Sequence, residues 1–185
     1  MKKNHLKSMT LTAMFAALIA VMTAFIKIPI GSNGGYIHLG DSLIYLASCL
    51  LGPYAVAAAS IGGALADLLS GAAAWALPTA VIKALNTLPF LIASHLYVKR
   101  RHTHKIVHLS TVLMTVVSGA ITVGGYFLAE GVMYSFAGAV PSIPFNALQA
   151  VGSAVVFLVA GKIMDKMNIQ SIFAVRHSAG EGKDS

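Results

Sequence analysis

Between Asp41 and Asp67 the chain carries no charged residue, and comparable apolar runs recur before and after that stretch. A bilayer's hydrocarbon core is roughly 30 Å thick and a helix rises about 1.5 Å per residue, so about 20 apolar residues make one crossing. Runs of this kind cannot all hide in a water-soluble core when 57% of 185 residues are hydrophobic, 10% are charged and mean hydropathy is +0.77. The solvent for most of the chain must be lipid. Its length leaves room for about six crossings, so the expected fold is an all-α integral membrane protein with one six-helix domain over 1–169 and a polar tail over 170–185.

The expected spans are 8–28, 39–51, 54–70, 76–98, 106–129 and 142–164. Pro29 and Gly31 close the first, ahead of a glycine-rich loop, Gly31-Ser-Asn-Gly-Gly35, and Tyr36-Ile-His38. Gly52-Pro53 divides the charge-free run, because proline starts helices well and disrupts their interiors. The second span is short for a crossing, so it should extend back into the loop or sit beside thinned bilayer. The third carries Ala55, Ala58, Ala59, Gly62, Gly63 and Ala66, small residues that let helices approach closely in lipid. It is therefore expected at the centre.

A net charge of +7 does not signal nucleic acid, because the basic residues lie between or beyond the apolar runs. Lys2, Lys3, Lys7, Lys99, Arg100, Arg101, Lys105, Lys162, Lys166, Arg176 and Lys183 all fall on one side of the expected topology. The opposite connections, near 29–38, 71–75 and 131–141, carry none, so the positive-inside rule places both termini in the cytoplasm. The lone Cys49 sits in an apolar run and reads as packing. The basic, apolar start reads as a first helix rather than a secretory signal. His102, His104 and His108, mixed with Arg101 and Lys105, read as a solvated connection rather than a metal site. Nothing fits GxxxxGK[ST], so the chain is not expected to hydrolyse ATP alone or to be an enzyme.

Ionisable groups at membrane depth are costly and need a partner or a purpose. Here they are Asp41, Asp67, Lys83 and Glu130, with Lys27 at a helix end, and all fall in the outer half. Uncharged polar residues repeat at helical spacing: Thr79, Lys83 and Asn86; Ser118, Thr122, Tyr126 and Glu130; Asn146, Gln149 and Ser153. Three polar stripes converging in an apolar bundle, with Tyr36, Trp75, Tyr134 and Phe145 near the outer rim, point to an outward-facing pocket. The plain structural alternatives are backbone bonding by Ser118, Thr122 and Ser153, a structural Asp67–Lys83 pair and an aromatic interfacial belt.

Gly35-Tyr-Ile-His-Leu-Gly-Asp41, Leu51-Gly-Pro53, Ala64-Leu-Ala-Asp-Leu-Leu-Ser-Gly71 and Ile82-Lys83, in this order and within a six-helix plan, resemble the substrate-binding subunits of energy-coupling-factor (ECF) vitamin transporters. The resemblance spans all six helices and is closest to the riboflavin, hydroxymethylpyrimidine and pyridoxine branch. It implies a subunit in a prokaryotic-type cell membrane that binds substrate from outside. Such a subunit associates with a membrane coupling protein and two cytoplasmic ATPases, and topples to release substrate inward. ATP would be used by the partners, with no cofactor on this chain. The resemblance also implies that Ala13 with Ala17 and Ala16 with Ala20, at four-residue spacing, face the coupling protein.

The expected substrate-binding residues are therefore Tyr36, His38, Asp41, Asp67, Trp75, Thr79, Lys83, Asn86, Tyr126, Glu130, Asn146 and Gln149. Three carboxylates and His38 against Lys83, with several aromatics, suit a neutral or mildly basic heteroaromatic ring better than a polyanion. Hydroxymethylpyrimidine or pyridoxine fits; riboflavin or a cobalamin-precursor base is the alternative, since a shared scaffold does not dictate ligand. An ion-coupled secondary transporter would need ionisable residues through both halves and usually an internal repeat. An intramembrane enzyme would need an assembled nucleophile and base, and only His38 and Asp41 are close in sequence. A purely structural or assembly protein would have no reason to bind a small ligand.

Overall fold

The computed structural model describes residues 2–30, 35–101 and 105–169, with side chains described for 5–27, 37–96 and 105–169. The loop at 31–34, His102, His104, the tail 170–185 and the side chains of Tyr36, Lys99, Arg100 and Arg101 lie outside the described residues.

The described residues form seven α-helices, one short 3-10 turn and one two-stranded hairpin. Helix α1 covers Lys2–Ala24, and the hairpin pairs β1, Lys27–Ile30, with β2, Gly35–His38. Then follow α2, Gly40–Leu51; α3, Tyr54–Leu69; a 3-10 turn, Ala73–Trp75; and α4, Ala76–Arg101. Helix α5 covers Leu109–Met133, the short α6 Phe136–Ala139 and α7 Ser142–Lys166. Among the described residues, four stretches are long and apolar enough to cross a membrane: 5–24, 73–96, 109–133 and 142–166; α2 and α3 are shorter apolar helices.

Several boundaries depart from the sequence reading for local reasons. Helix α1 stops at Ala24, because Lys27 to Ile30 pair antiparallel with Gly35 to His38. The expected loop before α2 is thus a hairpin, with Pro29 tolerated because its strand has only one neighbour. Helix α5 begins at Leu109 because His108 caps it. The Thr111 N–H donates to His108 Nδ1 (3.4 Å), while the His108 N–H donates to Thr111 Oγ1 (3.0 Å). The 131–141 connection holds α6, whose Ser135 hydroxyl accepts from the Gly138 N–H. Gly52, at φ 57°, makes the corner that lets Pro53 launch α3 in a new direction.

The helices follow one another in an arc, α1 to α3 to α4 to α5 to α7, and α2 packs inside it against α1, α3, α4 and α7. The central helix is therefore α2, not α3. A helix of 12 residues, about 18 Å long, needs no lipid-matched length when protein surrounds it. The small residues of α3 do pack closely, but on one face only. A Cβ on Gly62 would lie 2.7 Å from the carbonyl oxygen of Ala16, while Ile61, Leu65 and Leu68 on the other side are exposed. Across the bundle the pattern is inverted relative to a water-soluble protein. Leu77, Val116 and Val132 are among the most exposed side chains, whereas Asp41, Lys83, Asn86, Thr122 and Ser153 are buried.

At the centre Tyr45, Phe90 and Phe157, from α2, α4 and α7, pack ring on ring. Tyr45 stacks on Phe90 with centroids 4.5 Å apart, and Phe157 meets both edge-on at 5.8 and 5.2 Å. At one end of the bundle Asp165 of α7 accepts the N–H groups of Ile106 (2.7 Å) and Val107 (2.9 Å), clasping the start of α5. At the other end lie the hairpin, the Trp75 turn and α6.

Candidate functional site

The polar stripes meet where α2, α4, α5 and α7 face one another. Asp41, in the first turn of α2, is fully buried and accepts a charge-assisted hydrogen bond from Lys83 Nζ on α4 at 2.5 Å. Its other carboxylate oxygen accepts from Gln149 Nε2 of α7 at 3.1 Å. The same glutamine's Oε1 accepts from the His38 N–H of the hairpin at 3.4 Å. One side chain thus ties the hairpin, α2 and α7 to a single ion pair. The stem of Lys83 reaches it because α3 has glycine opposite; a Cβ on Gly63 would come within 2.9 Å of Lys83 Cγ.

The ammonium of Lys83 also lies 5.1 Å from the ring centre of Tyr126 on α5, within cation–π range. The Tyr126 hydroxyl is 3.3 Å from Thr79 Oγ1, one turn before Lys83 on α4. Trp75 stands beside Tyr126 and Tyr134, with ring centroids 6.0 and 6.1 Å away, so the half-buried Tyr126 and Trp75 and the exposed Tyr134 lead from the fully buried pair towards the surface. One turn deeper, Asn86 Nδ2 donates to Thr122 Oγ1 (2.8 Å) and Ser118 Oγ donates to the Asn86 carbonyl (2.8 Å). Below that layer the three central rings seal the bundle.

His38 is held neutral. The Gly40 N–H donates to its Nδ1 at 3.1 Å, which requires that nitrogen unprotonated. Burial, and secondarily the Lys83 ammonium, push its pKa from 6.5 to about 3 against the opposing pull of Asp41. A groove beside it, lined by Phe25, Ile26, Lys27, Ile37, His38 and Leu39, opens between the end of α1 and the hairpin.

Among the expected residues, the structure brings His38, Asp41, Thr79, Lys83, Tyr126 and Gln149 into one connected cluster, with Trp75 at its edge and Asn86 beneath. Lys83 pairs with Asp41, not with Asp67, because α2 rather than α3 occupies the centre. Asp67 is buried in the last turn of α3 and Glu130 in the last turn of α5; Asn146 is half-buried on α7. No hydrogen bond joins Glu130 or Asn146 to the cluster among the described residues. Phe145 is partly exposed and stands outside the Trp75 group. Tyr36 keeps its backbone place in β2, opposite Pro29. Of the alanines, Ala13 and Ala17 lie on an exposed face, but Ala16 and Ala20 are buried inside the chain, Ala16 beneath Gly62. Sequence reasoning missed Tyr45, whose one available signal was its spacing one turn from Asp41, and named Gly63 only as a close-packing residue of the third span, not as the seat of the Lys83 stem.

Comparison with known proteins agrees with this picture. The chain is 32% identical over 149 residues to an uncharacterized protein in a gap 3′ region from Pyrococcus woesei, covering 80% of this chain and 95% of that one. It is 28% identical over 177 residues to the thiamine precursor transporter HmpT of Lactococcus lactis subsp. cremoris, covering 94% of this chain and 96% of the relative. The family model for the S component of ECF-type riboflavin transporters matches residues 3–166. This is a family of membrane transporter subunits, not of enzymes, and with apolar helices around a buried polar cluster the chain belongs to it: the S components of ECF-type riboflavin transporters.

Proposed function

We propose that this chain is the substrate-specific subunit of an ECF-type importer that binds a small heteroaromatic vitamin or precursor, hydroxymethylpyrimidine or pyridoxine-like, for ATP-driven uptake. In this reading the helices make six crossings with both termini in the cytoplasm. The hairpin, Trp75 and α6 then face outside, and the ring enters between them. His38, Asp41, Lys83 and Gln149 supply donors and acceptors for ring substituents, while Tyr126 and Trp75 supply flat faces for the ring itself. Thr79, Asp67, Glu130, Asn146, Asn86 and Tyr36 complete the candidate set around them. The exposed Ala13 and Ala17 face of α1 offers the coupling protein close approach. Two partner ATPases use the ATP, and this chain carries no cofactor of its own.

The observation that carries the reading is the Lys83–Asp41–Gln149 cluster, three buried polar side chains from three helices at the end of a lipid-facing bundle. The likeness to a thiamine precursor transporter supports the choice of ring. Mass spectrometry of small molecules that co-purify with the detergent-solubilised protein, followed by titration of each candidate, tests it. A bound pyrimidine or pyridine vitamin is the expected result. Riboflavin would move the assignment within the family, and a site that ignores a full B-vitamin panel would overturn it.

A further inference from the structure

We infer that Asp41 determines specificity by charge: held in a buried pair with Lys83, it keeps the site neutral and denies it to anionic forms of the ring. This inference rests on the ring-binding reading above. Lys83 is the only lysine or arginine buried among the described residues. Left to itself such an ammonium would be an anion site. Here its charge is met by Asp41 at 2.5 Å, and the second Asp41 oxygen is taken by Gln149. His38 adds no charge, because its Nδ1 accepts the Gly40 N–H. The other ionisable groups buried towards this end, Asp67 and Glu130, are both acids.

A buried ion pair is weak evidence for stability, since well-packed apolar residues in its place are often as good or better. A pair placed where three polar stripes converge, under half-buried aromatics, instead sets the charge that an incoming group meets. A neutral hydroxymethyl can accept from Lys83 and donate to Asp41 with the pair intact. A carboxylate or phosphate at the same position meets the Asp41 charge in a low-dielectric site and would have to expel a fully buried side chain to reach Lys83. Removing one partner should therefore invert the preference rather than merely weaken binding.

The test uses the full chain in lipid nanodiscs. The probes are the hydroxymethyl, carboxylate and aminomethyl forms of the pyrimidine ring and of the pyridoxine ring; whichever ring the wild type holds is carried forward. Wild type should prefer the hydroxymethyl form. Asp41→Asn should shift the carboxylate-to-hydroxymethyl affinity ratio towards carboxylate by about tenfold or more, the scale of one hydrogen bond to a charged group. Lys83→Gln should shift preference towards the aminomethyl form by a similar factor, and the double variant should return to the hydroxymethyl form. Should Asp41→Asn fail to fold, Lys83→Gln decides alone. An unchanged ratio in a folded single variant that still binds a ring, or a shift that persists in the double variant, overturns the inference while leaving the ring-binding reading in place. A wild type that holds none of the probes overturns both.

Discussion

Lys83 and Asp41 show why single residues here cannot be judged by their own chemistry alone. Truncating Lys83 to alanine strands the Asp41 carboxylate where no water reaches it. The expected cost is about 3–5 kcal/mol, the range for breaking a buried pair by removing one partner. Lys83→Ala should therefore melt well below wild type in detergent, whereas replacing both partners by apolar residues of similar volume should recover most of the loss while abolishing ligand binding. Equal melting of Lys83→Ala and wild type would show the pair to be hydrated. His38 makes a second prediction. Its folded pKa, about 3, lies below the ordinary 6.5, so between those values the unfolded chain binds a proton that the folded chain does not. Stability from this group is complete above about pH 6.5 and is lost progressively as the pH falls towards 3. His38→Asn, which can still accept the Gly40 N–H, should flatten the slope of melting temperature against pH in that window; an unaltered slope would assign it to other groups.

At the scale of elements, the closeness of α1 and α3 depends on Gly62. Any side chain there meets the backbone of α1 at Ala16 and Cβ of Ile19 (2.7 and 2.9 Å), neither of which can swing aside. Gly62→Ala should cost about 1–3 kcal/mol, as overpacking of a fitted contact does. Gly124 on α5 is the control, since a Cβ there meets nothing within 4 Å. Gly124→Ala should leave the melting temperature unchanged or raise it slightly through better helix propensity. Comparable losses in both variants would show that helix flexibility, not close approach, is what these glycines provide. The same logic explains why α2 can be short: its neighbours, not lipid, surround it.

For the molecule as a whole, the polar layer sits towards one end and the Tyr45, Phe90 and Phe157 rings close the middle. Among the described residues, these packed rings stand between the polar layer and the Asp165 end. Reconstituted alone into liposomes, the chain is expected to bind the ring saturably yet give no accumulation under a proton or sodium gradient, with uptake appearing only when coupling protein and ATPases are added. Gradient-driven uptake by the chain alone would instead favour a secondary transporter.

The lipid environment, the helix break at Gly52-Pro53 and the rows of polar residues facing inward were legible without any tertiary structure. Each follows from local composition or from the 3.6-residue period of a single helix. That Lys83 would need a partner was equally legible, since an unpaired ammonium in lipid is too costly. Which partner it takes was not. Asp67 lies closer in sequence, but Asp41 wins because α2 packs inside the arc of the other helices, and the order of helices around a centre is set by contacts among distant segments. The hairpin at 27–38 was hidden for the same reason: its pairing and its tie to Gln149 are relations between separated residues, which no local period records. The alanines of α1 divide in the same way, because the spacing marks two candidate faces and only the position of α3 decides that Ala16 and Ala20 are turned inward while Ala13 and Ala17 remain outside.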